Sequence, residues 1–275
     1  MAYEQEIKLI KNWKKNTFYI SIMQLTLLIV NFFLITIISR EYGAEIYGEY
    51  ASSKSLSVLI GTAIVMSLAL VVTKALAKNS EDSKLLFVNS YYIIIRNFFI
   101  TLLILFPVTL LFQRDFSMTA LFLMGFVFNE LIHVALAFFQ SRGDFVTSSK
   151  QIFVRTVLYG IGAWIIVLQG FSIIFLIVFQ VFMLVLFFII AHVSIPKNEK
   201  IFKATSTPNV KTNLEKSGKK MVLTTFSSAL ISELDIVLLG LFYSGSVLGV
   251  LAWSRRILEI IFQLLAASLD LSLIH

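Results

Sequence analysis

Eight apolar runs of spanning length dominate this chain: 16–38, 46–72, 84–112, 117–139, 151–168, 171–193, 220–243 and 247–273. A helix needs about 20 predominantly apolar residues to cross the hydrocarbon of a bilayer, and only helices and closed barrels satisfy every backbone group there. The runs are too long and too continuous for the alternating strands of a barrel. The sequence is 58% hydrophobic, with a mean hydropathy of +0.87 and 26 Phe, more apolar surface than a soluble domain of 275 residues needs. The expected fold is all-α: a polytopic membrane protein of about eight transmembrane helices.

The loops assign the sides. One side receives Lys8, Lys11, Lys14 and Lys15, then Lys74, Lys78 and Lys84, then Arg142 and Lys150. It also receives Lys197, Lys200, Lys203, Lys211, Lys216, Lys219 and Lys220, making 16 of the 23 Lys+Arg; the opposite loops hold only Arg40 and Arg114. The excess of Lys and Arg in cytoplasmic loops predicts a cytoplasmic N-terminus. It also accounts for the net charge of +7 without nucleic acid. The basic start continues into an apolar run too long for a cleaved leader, so span one is expected to be retained. Cysteine is absent, which excludes disulfides and thiolate chemistry, and three scattered His suggest no metal cluster. No cofactor is expected.

Residues 194–219 are polar and hold two of the three Pro. They are expected to be a cytoplasmic linker between a six-helix lobe (1–193) and the start of a second lobe (220–275). A shift of 201 positions sets Tyr243, Gly249 and Ala252 on Tyr42, Gly48 and Ala51, and Arg255 on the similar Lys54. That suggests a parallel internal repeat. Two helices follow the linker where six precede it, so a C-terminally truncated second half is expected.

Charges at membrane depth are the main functional signal. On insertion scales a central charge costs about 2.5–3.5 kcal/mol, and each Leu, Ile, Phe or Val returns only about 0.3–0.6. Span eight carries Arg256, Glu259, Gln263 and Asp270 on one stripe, with Arg255 at its edge. Spacing allows Glu259 to pair with Arg255 at i,i+4 and with Arg256 at i,i+3, leaving a net positive charge. Arg255 is also expected within reach of Asp235 on span seven, which carries Glu233 as well. Arg96, midway along span three, is expected to face a cavity. Lys54 admits a cavity or a snorkelling position, Arg155 reads as snorkelling, and Glu130 with His133 reads either as a proton-sensitive pair or as a mutually satisfied structural pair. Ser, Thr, Asn and Gln on the same faces read as helix–helix glue.

The opening stretch from Asn16 to Tyr50, with Arg40, Gly43, Tyr47 and Gly48, resembles the first helix and turn of polysaccharide-export flippases of the Wzx type. These O-antigen and polysaccharide exporters belong to the multidrug/oligosaccharidyl-lipid/polysaccharide (MATE-like) superfamily. Asp235, Gly240, Val247, Gly249 and Arg255 resemble that family's seventh and eighth helices. The resemblance implies two six-helix lobes around a cavity, and export rather than an enzymatic reaction. The substrate it implies is an undecaprenyl-pyrophosphate-linked oligosaccharide, its tail in membrane lipid. Other polysaccharide-assembly membrane proteins are expected partners. A diphosphate needs fixed cations, for which Arg96, Arg255, Arg256 and Lys54 are candidates. Asp235, Glu130 and Glu259 would orient them or respond to coupling ions. A drug/cation antiporter of the same fold would need buried acids in excess. A membrane glycan polymerase or ligase would need a larger external loop, and an inactive fragment is a further reading.

Overall fold

The computed structural model describes residues 2–78, 83–111, 116–196, 208–243 and 245–273, with side chains between 15 and 263 in those stretches except 108, 110, 111 and 208. Asp270, Arg114, Ser244 and the lysines Lys8, Lys11, Lys14, Lys197, Lys200 and Lys203 lie outside the described side chains. All regular structure among the described residues is helical: α1 Ala2–Val65, α2 Leu68–Ala77, α3 Ser83–Leu111, α4 Phe116–Ser141, α5 Phe145–Leu168, α6 Ile173–Ser194, α7 Pro208–Phe242 and α8 Gly245–Leu273.

α1 is two helices in series. A straight run from Lys15 to Ala77, 63 residues, would extend about 95 Å, three times the hydrocarbon thickness. Gly43 interrupts it at φ 80°, ψ 167°, a conformation open to glycine at little cost. Beyond it the chain folds back: Leu27, Val30 and Asn31 of the first limb line one cavity together with Lys54, Ser57 and Val58 of the second. A continuous helix would hold those groups about 40 Å apart.

Each end of the molecule is tied by turns. Asn16 donates to the Gly143 carbonyl (3.0 Å), which sets the start of α1 beside the α4–α5 turn. At the other end the Tyr42 hydroxyl donates to the Phe171 carbonyl (2.7 Å), setting the Gly43 break beside the α5–α6 turn. α5 starts at Asp144, whose carboxylate accepts from the Thr147 amide (3.1 Å), and α6 starts on the Ser172 hydroxyl. These side chains satisfy amides that a first helical turn leaves free.

Six helical stretches are long and apolar enough to cross a membrane, the folded-back 15–77 stretch among them. Leu103, Phe99 and Ile231 stand more than half exposed, which suits contact with acyl chains and not with water. The chain is a multi-pass helical membrane protein. Beside a small cluster of Ile64, Leu105 and Leu123, two larger apolar clusters hold the described residues together. One joins α2, α3, α4, α6 and the start of α7. The other joins α1 on both sides of Gly43 to α4, α5, α6, α7 and α8.

Two expectations are corrected. The linker expected over 194–219 is helical from Pro208 onward. Leu214 buries in the first cluster, Lys211 lies over the Tyr92 ring at 4.4 Å, and Glu215 pairs with Arg96 at 2.9 Å. Residues 208–219 are the first turns of α7, laid against α3, and 197–207 lie outside the described residues. Span two, expected as one helix, breaks at Met66 and Ser67, both at φ near +50°. The left-handed region costs about 1–2 kcal/mol per non-glycine residue. Partners from elsewhere offset it: Asn97 donates to the Ile64 carbonyl (2.9 Å), and Ser67 donates to Thr225 Oγ1 (2.9 Å).

Candidate functional site: a charged seam and a cationic cavity

α8 begins against the second limb of α1 with almost no space between them. A Cβ on Gly249 would stand 1.7 Å from the Ala44 carbonyl oxygen, and one on Gly48 would stand 2.8 Å from the Gly249 amide nitrogen. Small residues are what allow helix backbones this close in a membrane. Ala51 and Ala252 bury in the same cluster. One turn further on, the same two helices meet through charge.

Arg256 is the centre of that seam. It grips Glu233 of α7 with both terminal nitrogens, the second of these contacts at 3.2 Å. Nη1 also donates to Glu259 (2.8 Å) and Nη2 to Ser55 Oγ (3.2 Å), while Ser55 donates to Glu233 Oε2 (2.7 Å). Arg256 and Glu233 are only 15% and 9% exposed. Arg255 turns about 100° away. It pairs with Asp235 through Nε and donates from Nη1 to Glu259 (3.3 Å) and from Nη2 to the Ser232 carbonyl (2.8 Å). The net positive charge expected at this place is therefore corrected. Glu233, Asp235 and Glu259 face two guanidiniums, so the seam itself carries one net negative charge. Lys54, adjacent to Ser55, lies in electrostatic range of Arg256, Glu233 and Glu259.

Gly48 with Gly249, and Ser55 with Arg256, are each 201 positions apart. These contacts coincide with the shift read from the sequence.

A separate cavity of about 230 Å³ opens between α1, α4, α5 and α6. Its cations are Lys54 and Arg155; Asn31, Asn129, Thr156, Tyr159 and Gln180 add amides and hydroxyls. Arg155 donates to Asn129 Oδ1 (2.9 Å). No carboxylate lines the cavity among the described residues.

The sequence candidates thus fall into separate places. Arg255, Arg256, Glu259 and Asp235 come together in the seam, and Lys54 stands between the seam and the cavity. Arg96, expected to face a cavity, instead binds Asn97 Oδ1 through Nε and Nη2 (3.1 and 2.8 Å) and pairs with Glu215. Glu130 neighbours Asn129 on α4 but is not among the residues lining the cavity. Arg155, read as snorkelling, lines the cavity instead. Glu233, carried by span seven beside Asp235, is the principal partner of Arg256. Its position two residues before Asp235 was the signal: adjacent Arg on one helix call for two acids on the next.

A multi-pass helical protein with part-buried cations lining a cavity between its helices has the build of a transporter more than of a catalytic enzyme. The chain belongs to the polysaccharide biosynthesis protein family, whose model matches residues 113–271, from just before α4 into the end of α8. The matched region holds Arg155 and every seam residue except Ser55. Comparison with curated proteins and with solved structures returned no match.

Proposed function

We propose that this protein moves a lipid-linked oligosaccharide, joined to its lipid through a pyrophosphate, across the bacterial inner membrane for surface polysaccharide synthesis, as O-antigen flippases of the Wzx type do. The observation that carries the reading is the cavity with Lys54 and Arg155, which no carboxylate lines among the described residues. A sugar chain and a diphosphate cannot cross hydrocarbon unaided. Two fixed cations with amides around them replace the water that the phosphates lose. At about 230 Å³ the cavity is smaller than the roughly 300–1,000 Å³ of ligand pockets, so it suits the phosphate end and not the glycan. A cation antiporter would place acids there.

In this reading Arg255 and Arg256 tie α7 and α8 to α1, and Arg96 anchors α7 to α3. Helices α1–α6 act as one lobe, and α7 and α8 begin another that meets it across the Gly48–Gly249 contact. The N-terminus and the basic loops are cytoplasmic.

The test is complementation in a host whose surface glycan depends on this gene. Lys54→Gln and Arg155→Gln should each lower glycan export about ten-fold or more, the worth of a charge-assisted hydrogen bond. Protein level should hold, because removing a buried charge lowers insertion cost. Arg155→Lys should recover part of the activity. Normal export by the double variant would overturn the proposal.

A further inference from the structure

A second cavity, of about 300 Å³, lies at the basic end of the molecule between α2, α3 and the start of α7. We propose that it binds the phosphate group of an anionic membrane lipid. Lys74 on α2 and Lys78, the residue that caps its C-terminus, stand one helical turn apart, and both line the opening. Asn213 and Ser217 face them from α7, and Val71, Leu86 and Leu214 form an apolar floor. No carboxylate lines the cavity among the described residues. Cations at the rim, short polar groups opposite and an apolar floor match a phosphate with acyl chains attached.

The cavity is built by features that otherwise have no role. The left-handed residues Met66 and Ser67 separate α2 from the rest of its span. Arg96 with Glu215, and Lys211 over Tyr92, hold the start of α7 against α3 as the facing wall. Gly218 lets that wall approach, since a Cβ there would stand 3.0 Å from Met66. Without the break and these ties the two walls would not enclose a space. This proposal does not depend on the transport reading.

The test uses the full chain in phosphatidylcholine vesicles containing a minor fraction of phosphatidylglycerol, with retained lipid counted by native mass spectrometry. Each lysine beside an anionic headgroup changes affinity roughly five-fold, so Lys74→Gln/Lys78→Gln should cut phosphatidylglycerol retention roughly thirty-fold. Lys150→Gln removes a basic residue that lies over Tyr19, outside the cavity, and should leave retention unchanged. Ser217→Leu keeps both lysines but fills the space, and should lower retention as well. Excess inorganic phosphate separates the two sources of the same chemistry. If it empties the site, the phosphate group alone is read; if phosphatidylglycerol persists, the lipid is the ligand. Unchanged retention in the double variant, an equal loss in Lys150→Gln, or no effect of Ser217→Leu would each overturn the proposal.

Discussion

Removing Arg256 should destabilise this protein more than removing Glu233, although the two form one ion pair. Arg256→Gln strands Glu233, which is 9% exposed and keeps only the Ser55 hydroxyl. Breaking a buried pair from one side costs about 3–5 kcal/mol, because the remaining charge is uncompensated. The seam then holds three carboxylates against Arg255 alone. Glu233→Gln is milder. Arg256 keeps Glu259 at 2.8 Å, Arg255 keeps Asp235, and the seam becomes two acids facing two guanidiniums. Roughly half the penalty should remain, about 2 kcal/mol. The double variant leaves neither charge stranded, so its loss should fall short of the sum by about 1–3 kcal/mol, the coupling usual for residues in contact. Unfolding titrations of the four proteins in mixed micelles measure this. Additivity within about 0.5 kcal/mol, or Glu233→Gln the more damaging single change, would refute the charge arithmetic.

Three further outcomes are expected. Gly249→Ala should cost at least the roughly 1–3 kcal/mol of overpacking, since its Cβ meets backbone; Gly125→Ala should be nearly neutral, its Cβ lying 3.5 Å from Leu184; thermal midpoints compare them. Glu215→Gln should lower global stability by no more than about 1 kcal/mol, because its pair with Arg96 is partly exposed, yet hydrogen exchange should quicken across 208–219. Cysteine introduced at Gly143 and at Phe171, on either end of α5, should label from opposite faces of the membrane, a clean experiment in a chain with no native Cys. Labelling from one face would remove α5 as a crossing.

The amino-acid sequence by itself determined the class of this protein. Twenty-residue apolar runs have one stable solution in a bilayer, the helix that crosses it. The Gly43 break was visible as a lone glycine between two runs that cannot be one helix. Asp235 and Glu259 were legible as partners of Arg255, because helical spacing and a short connection bring them close. What the tertiary structure alone decided has a common physical reason: it rests on groups remote in the chain. The Met66–Ser67 break has no glycine or proline to announce it. Its partners come from elsewhere: Asn97 donates to the Ile64 carbonyl that the broken helix leaves free, and Thr225 accepts from the Ser67 hydroxyl. Residues 208–219 look like a linker by composition and become a wall through Tyr92 and Arg96. Arg155 near a helix end reads as snorkelling until α1, α4 and α6 close a cavity around it. Spacing shows which charges share a helix face; only packing decides whether that face meets lipid, an acid or empty space.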